Sequence, residues 1–172
     1  IREMSFRHCK QYSELTGFKD ISSIEVSRFG NPDDIFEMNE KPYSMQFLGF
    51  YIRSCFAHKH IKFLGNEVIV ELGSGSGHQI EVLKKAYQNL TILCFDLPAQ
   101  IYLCEQYLSN SLGEENIVSS KKTIHWNNLS QIEKGKVHFL GNWQFPLLEK
   151  FKFDVFWNAA SFGEMEPKIV QN

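Results

Sequence analysis

Glu67-Val68-Ile69-Val70-Glu71-Leu72-Gly73-Ser74-Gly75-Ser76-Gly77-His78 is the stretch on which the fold turns. Its β-branched run predicts a short buried strand, and the alternating glycines predict that the strand stops in a tight loop. From His78 to Gln88, Ile80, Leu83, Ala86 and Tyr87 recur on one face, the spacing of a helix packed on a sheet. The order repeats downstream. Thr91-Ile92-Leu93-Cys94-Phe95 predicts a second strand ending at Asp96, and Pro98 then suits the first turn of a helix with Ile101, Cys104 and Leu108 inward and Gly113 as its stop. Val137 to Leu140 and Phe153 to Trp157 read as a third and a fourth strand. The span from Gly113 to Gly135, polar apart from Ile124, Trp126, Leu129 and Ile132, gives no resolvable element. Strands alternating with helices imply an α/β fold with parallel strands.

Upstream, residues 1–66 carry no dense β-branched run and are expected to form a mostly helical cap or lobe, with residues 67–172 as the sheet-bearing domain. The most periodic stretch runs from Pro42 to His58, where Tyr43, Phe47, Phe50, Tyr51 and Cys55 share a face and Pro42 suits a first helical turn. Gly30-Asn31-Pro32-Asp33 is turn chemistry. Of the 172 residues, 43% are hydrophobic and 22% charged, enough apolar material for one packed unit and too much for a disordered chain. A formal net charge of -2 leaves no basic surplus for a phosphate backbone, so nucleic acid is a poor partner. Cys9, Cys55, Cys94 and Cys104 form no CxxC pair and read as reduced, buried packing residues. No run is long and apolar enough to cross a bilayer and the first residues do not resemble a signal peptide, so a cytoplasmic protein without membrane contact is expected. The chain opens on Ile1 rather than methionine, and an excerpt of a longer product is the expectation.

Ligands of parallel α/β sheets bind beyond the carboxyl ends of the strands, and glycines after the first strand let a ligand approach the backbone. Gly73, Gly75 and Gly77 hold that place, with Ser74 among them. The nicotinamide fingerprint G-x-G-x-x-G requires a sixth-place glycine where this chain has His78. Glu71 stands two residues before the loop, where a carboxylate would repel a pyrophosphate but attract a cationic group. Asp96, at the end of the second strand, can accept hydrogen bonds from both hydroxyls of a ribose.

Glu71-Leu72-Gly73-Ser74-Gly75-Ser76-Gly77 resembles the first motif of Rossmann-like, class I S-adenosylmethionine-dependent methyltransferases. The run from about Phe29 to Met165, including Gly30-Asn31-Pro32, Phe95-Asp96-Leu97-Pro98 and Ser161-Phe162-Gly163-Glu164-Met165, is similar to the sugar O-methyltransferase family. The resemblance implies S-adenosylmethionine as cofactor, S-adenosylhomocysteine as product, and a sugar or nucleotide sugar as small-molecule acceptor. It places Leu97 against the adenine, Asn142 and Trp143 at the adenine edge, and Asn158 and Ser161 beside the transferable methyl. Asn158-Ala159-Ala160 lacks the Asn-Pro-Pro-Tyr element of nitrogen methyltransferases, which favours oxygen as acceptor.

Methyl transfer is an in-line displacement in which alignment supplies most of the catalysis, and a sugar hydroxyl then needs a carboxylate, a histidine or a bound divalent metal at hand. Glu164 is the catalytic candidate, His78 a helix cap, His138 a packed or edge residue, and no His spacing indicates a metal. Tyr43, Met45 and Gln46 are candidates to cover the cofactor, although a core role fits Tyr43 better. A complete sheet of this family has seven strands; four are recognisable here, which predicts a sheet truncated after the fourth, an open edge, and acceptor residues elsewhere or a homo-oligomer covering the edge. The rival readings are a methyltransferase-like binding or structural protein without turnover, and a nicotinamide-linked oxidoreductase.

Overall fold

The structure, a computed structural model, describes residues 1–171. Its centre is a five-stranded parallel sheet built from β3 (Val68–Leu72), β4 (Thr91–Asp96), β5 (Ile117–Val118), β6 (Val137–Gly141) and β7 (Val155–Trp157). The spatial order is β5-β6-β4-β3-β7, and every neighbouring pair is parallel. An α/β fold with parallel strands is therefore present, compatible with a Rossmann-like arrangement. From β3 the chain adds β4, then β5 at the sheet edge and β6 between the two, and returns to place β7 on the other side of β3, so the strand order reverses at the crevice between β3 and β7. This crevice is where such sheets bind ligands.

Strand periodicity divides the core into two layers. Ile69, Ile92, Cys94, Val137, Phe139, Val155 and Trp157 face helices α2 (Met45–Ile61), α3 (His78–Ala86) and α4 (Pro98–Leu112). Val70, Leu93, Phe95 and Leu140 face the opposite way, onto Leu129 and Leu148. With both faces covered, the strands read as continuous apolar runs rather than alternating ones. His138 lies in the second layer, wholly buried, 5.9 Å from the Trp126 ring, and its Nε2 accepts from the Glu133 amide at 3.0 Å. Burial pushes its pKa down to about 4, so the ring is neutral.

Three expectations need correction. A fifth strand, β5, lies within the span that sequence left unassigned, paired to β6 through Ile117 and Val118. The region before residue 67 is not all helical: besides α1 (Arg2–Thr16) and α2 it holds an antiparallel hairpin, β1 (Phe36–Met38) and β2 (Lys41–Tyr43). Pro42 belongs to β2 and does not open a helix. The helix begins at Met45, where the Ser44 hydroxyl accepts from the Phe47 amide at 3.0 Å, an N-cap two residues beyond the proline.

The N-terminal region shares its core with the sheet: Phe6, Phe18, Ile21, Tyr43, Tyr51 and Cys55 belong to the cluster that contains Ile69 and Ile92. Glu81, wholly buried on α3, fastens it. Its carboxylate accepts from the Ser27 amide at 2.8 Å, the Lys85 ammonium at 2.8 Å and the Tyr107 hydroxyl of α4 at 2.6 Å. Lys84 is buried on the same helix and donates to the carbonyls of Gln88, Leu90 and Gly135, at 3.0 Å for Leu90 and 2.6 Å for Gly135. The four cysteines are buried and unpaired, as the sequence implies. Among the described residues no helix is long and apolar enough to cross a membrane.

Candidate cofactor site

The loops after β3, β4 and β7 enclose a cavity of about 360 Å³ at the carboxyl end of the sheet. Glu71, Gly73, Ser74, Gly75, Asp96, Leu97, Ser161 and Glu164 line it. Eight of the twelve residues named from sequence thus meet in one place. Phe50 and Arg53 from α2, His78 and Gln79 from α3, and Gln100 from α4 join the wall, with Ser76 of the glycine loop and Ala159 and Ala160 of the β7 loop.

Gly73 has φ +84, and a Cβ there would lie 2.5 Å from the Ser161 side chain. The absence of a side chain lets the β7 loop close onto the β3 loop. Ser161 Oγ donates to the Leu72 carbonyl at 2.8 Å, and Asn158 Nδ2 donates to the same carbonyl at 3.1 Å and to Ser161 Oγ. Asn158 therefore positions the loop from behind and does not line the cavity. Gly73→Ala combines a left-handed backbone with a steric clash and is expected to cost roughly 1–3 kcal/mol. Thermal denaturation beside wild type checks this; an unchanged melting temperature would mean that the two loops do not need this approach.

Above Gly75, by contrast, no atom lies within 4 Å of a Cβ position, and its amide donates to Asp96 Oδ2 at 2.9 Å. Asp96 Oδ1 accepts from the Leu97 amide at 2.8 Å. Each carboxylate oxygen keeps a second lone-pair direction for a ligand hydroxyl. Gly77 does not line the cavity: it is the left-handed N-cap of α3, and a Cβ there would press on Leu108 and Cys104 of α4 about 3 Å away. Its role is helix packing.

Glu71 carries the strongest electrostatic signal. It is 3% exposed, and burial, reinforced by Asp96, pushes its pKa up to about 8. Its Oε2 has no hydrogen-bond partner, and neither has Ser74 Oγ or Gln79 Oε1. All three belong to residues lining this one cavity. Unpaired buried polar atoms each cost about 1–3 kcal/mol, so three of them around one space mark where a ligand with N–H groups would be stabilised.

His78 is the first residue of α3 rather than its cap. Its Nδ1 lies 2.6 Å from Ser76 Oγ, its ring stacks on Tyr107 at 4.4 Å, and burial lowers its pKa. Tyr43, Met45 and Gln46 do not line the cavity. Tyr43 is wholly buried and donates to the Ile21 carbonyl at 3.1 Å; Phe50 and Arg53, further along α2, cover the mouth instead.

Beyond the Leu97-Pro98 ridge lies a second cavity of about 400 Å³, walled by Ile101, Tyr102, Ile124, His125, Gly141 and Trp143. Its apolar walls suit a planar heterocycle. Trp143 lines this cavity, whereas Asn142 is exposed and lines neither. The neighbouring Gln144 holds this corner instead: its Oε1 accepts from the Gly141 amide at 3.0 Å and its Nε2 donates to the Thr123 carbonyl at 2.7 Å.

No family model matches the chain, and searches of curated proteins and of solved structures return no match. The functional reading therefore rests on the residues and their geometry.

Proposed function

We propose that the chain binds S-adenosylmethionine and directs its methyl group to a hydroxyl of a small molecule, a sugar or nucleotide sugar. The observation that carries this reading is the set of three unpaired buried polar atoms, Glu71 Oε2, Ser74 Oγ and Gln79 Oε1, beside a glycine loop at the carboxyl end of β3. Glu71, Asp96 and Glu164 line one cavity, which suits a cationic ligand and disfavours the pyrophosphate of a dinucleotide. The residues fit the parts of the cofactor in order: Glu71, Ser74 and Gln79 face its ammonium, Asp96 its ribose hydroxyls, Leu97 and Trp143 its adenine. When bound, it supplies a methyl carbon already activated by the adjoining sulfonium.

The chain's own work is alignment. Gly75 leaves open space for close approach, Asn158 and Ser161 hold the β7 loop against β3, and Glu164 accepts the proton released from the acceptor hydroxyl. Titration calorimetry with S-adenosylmethionine tests the reading. Micromolar affinity is expected for wild type and a loss of roughly 30-fold or more for Asp96→Ala, since two charged hydrogen bonds to the ribose disappear. Formation of S-adenosylhomocysteine with a panel of sugars and nucleotide sugars then tests turnover. A folded wild type that binds no adenosyl ligand would sink the proposal.

A further inference from the structure

Arg53 projects from α2 into both the 360 Å³ cavity and an adjoining groove of about 770 Å³ between α2 and β7. Among the described residues it is the one lysine or arginine lining the first cavity, whose other ionisable walls are Glu71, Asp96, Glu164 and the neutral-leaning His78. Three carboxylates stand in the same space, yet Arg53 forms no salt bridge with any described residue. Its guanidinium carbon sits 5.0 Å from the Phe50 ring centroid. Stacking covers one face of the guanidinium and leaves the edge, with its fork of N–H donors, free for a planar anion.

The helix that carries Arg53 is also tied to the ammonium side of the cavity. Gln79 Nε2 donates to Ser54 Oγ at 2.8 Å and to the Phe50 carbonyl at 3.3 Å, which fixes the turn bearing Phe50, Arg53 and Ser54 against α3. The same side chain leaves Oε1 unpaired. Unpaired acceptors on Glu71 and Gln79 and an uncommitted arginine thus share one small space. A ligand that was only a cation would satisfy the carboxylates and be repelled by Arg53; one bearing ammonium and carboxylate on a single carbon uses both.

We propose that Arg53 is the carboxylate-recognition residue of this cavity, so that the ligand is held at its α-amino-acid end as a zwitterion between Glu71 and Arg53. This rests on the cavity being the S-adenosylmethionine site. It makes the carboxylate a specificity determinant, separating S-adenosylmethionine from its decarboxylated form and from 5′-methylthioadenosine.

Calorimetric affinities of wild type, Arg53→Met and Arg53→Lys for S-adenosylmethionine and decarboxylated S-adenosylmethionine test the inference. Wild type is expected to prefer the carboxylate-bearing ligand roughly 10- to 100-fold, the worth of a charge-assisted pair. Arg53→Met should bind the two alike, with its affinity for the decarboxylated ligand undiminished, which also establishes that the variant is folded. Arg53→Lys should restore part of the preference. A wild type that binds both ligands equally, or an Arg53→Met that keeps the preference, overturns the role of Arg53 while leaving the cofactor site standing. A folded wild type that binds neither overturns the cofactor reading and this inference with it.

Discussion

Glu71→Gln is expected to weaken S-adenosylmethionine binding about 100-fold or more at pH 7.5–8 while raising the melting temperature of the ligand-free protein. Both effects come from one buried carboxyl group. An unfolded glutamate ionises near 4.5 and Glu71 in the folded chain near 8. Between those values the unfolded chain has lost a proton that the folded chain keeps, so this residue makes folding less favourable as pH rises, with the full penalty reached above about 8. The shift corresponds to roughly 5 kcal/mol, or on the order of 10–20 °C in melting temperature for a chain of this size. Glutamine removes the penalty, so the two melting curves should converge below pH 4.5 and separate toward pH 8.

The binding side has the opposite sign. A cation beside Glu71 favours its ionised form, so below pH 8 binding must expel a proton, and wild-type affinity should fall up to tenfold per unit as pH drops from 8 to 6. The ligand's α-amino group, with an ordinary pKa of about 7.7–8.0, stays protonated through most of that window. Titrations at pH 6, 7 and 8 should show this slope in wild type and its absence in Glu71→Gln. Parallel slopes would mean that Glu71 does not meet the cation.

Lys84→Met is expected to be the most damaging substitution for the fold, by about 3 kcal/mol or more. Methionine keeps the apolar stem, but the carbonyls of Gln88, Leu90 and Gly135 lose a shared charged donor, each buried acceptor costing about 1 kcal/mol or more. Lys84 clamps the approach to β4 to the turn before β6, so the loss falls on the sheet's centre. Urea unfolding should show a lowered midpoint with an unchanged slope. A midpoint within error of wild type would mean that water replaces the ammonium at no cost.

The parts of the fold that sequence made legible are those in which burial on both faces forces an uninterrupted apolar run. β3, β4 and β6, with the glycine loop and Gly113 at the end of α4, follow directly from such runs and their stops. Two elements escaped for physical reasons. β5 is two residues long and has one partner, so it needs no apolar run of its own. The β1–β2 hairpin turns through Asn39 and Glu40, both at positive φ; glutamate is an unusual occupant of that region, and the usual Asn-Gly or Asp-Gly signal is missing. Pro42 then mimicked a helix start because its ring suits a strand of a small hairpin as well as a first helical turn.

In the site, Glu71, Gly73, Gly75 and Asp96 were legible because chain position relative to a strand end determines where such residues stand. Arg53 and Gln79 were not. Periodicity identifies the apolar stripe of a helix and is silent about which polar residue on its flank meets a loop far along the chain. Asn142 misled for a related reason: the residue that fixes the corner after β6 is Gln144, two places on, turned inward by the tight helical run that starts at Asn142.

Glu81 bears on how this molecule can be divided. Its carboxylate draws one donor from the strap preceding the hairpin, one from its own helix and one from α4, so residues far apart along the chain meet on a single buried charge. An excised 67–171 fragment would lose the Ser27 amide from that charge, and Tyr87 would lose the Phe18 ring that packs on it at 5.6 Å. A domain boundary drawn at residue 66 cuts through a wall, not along a seam.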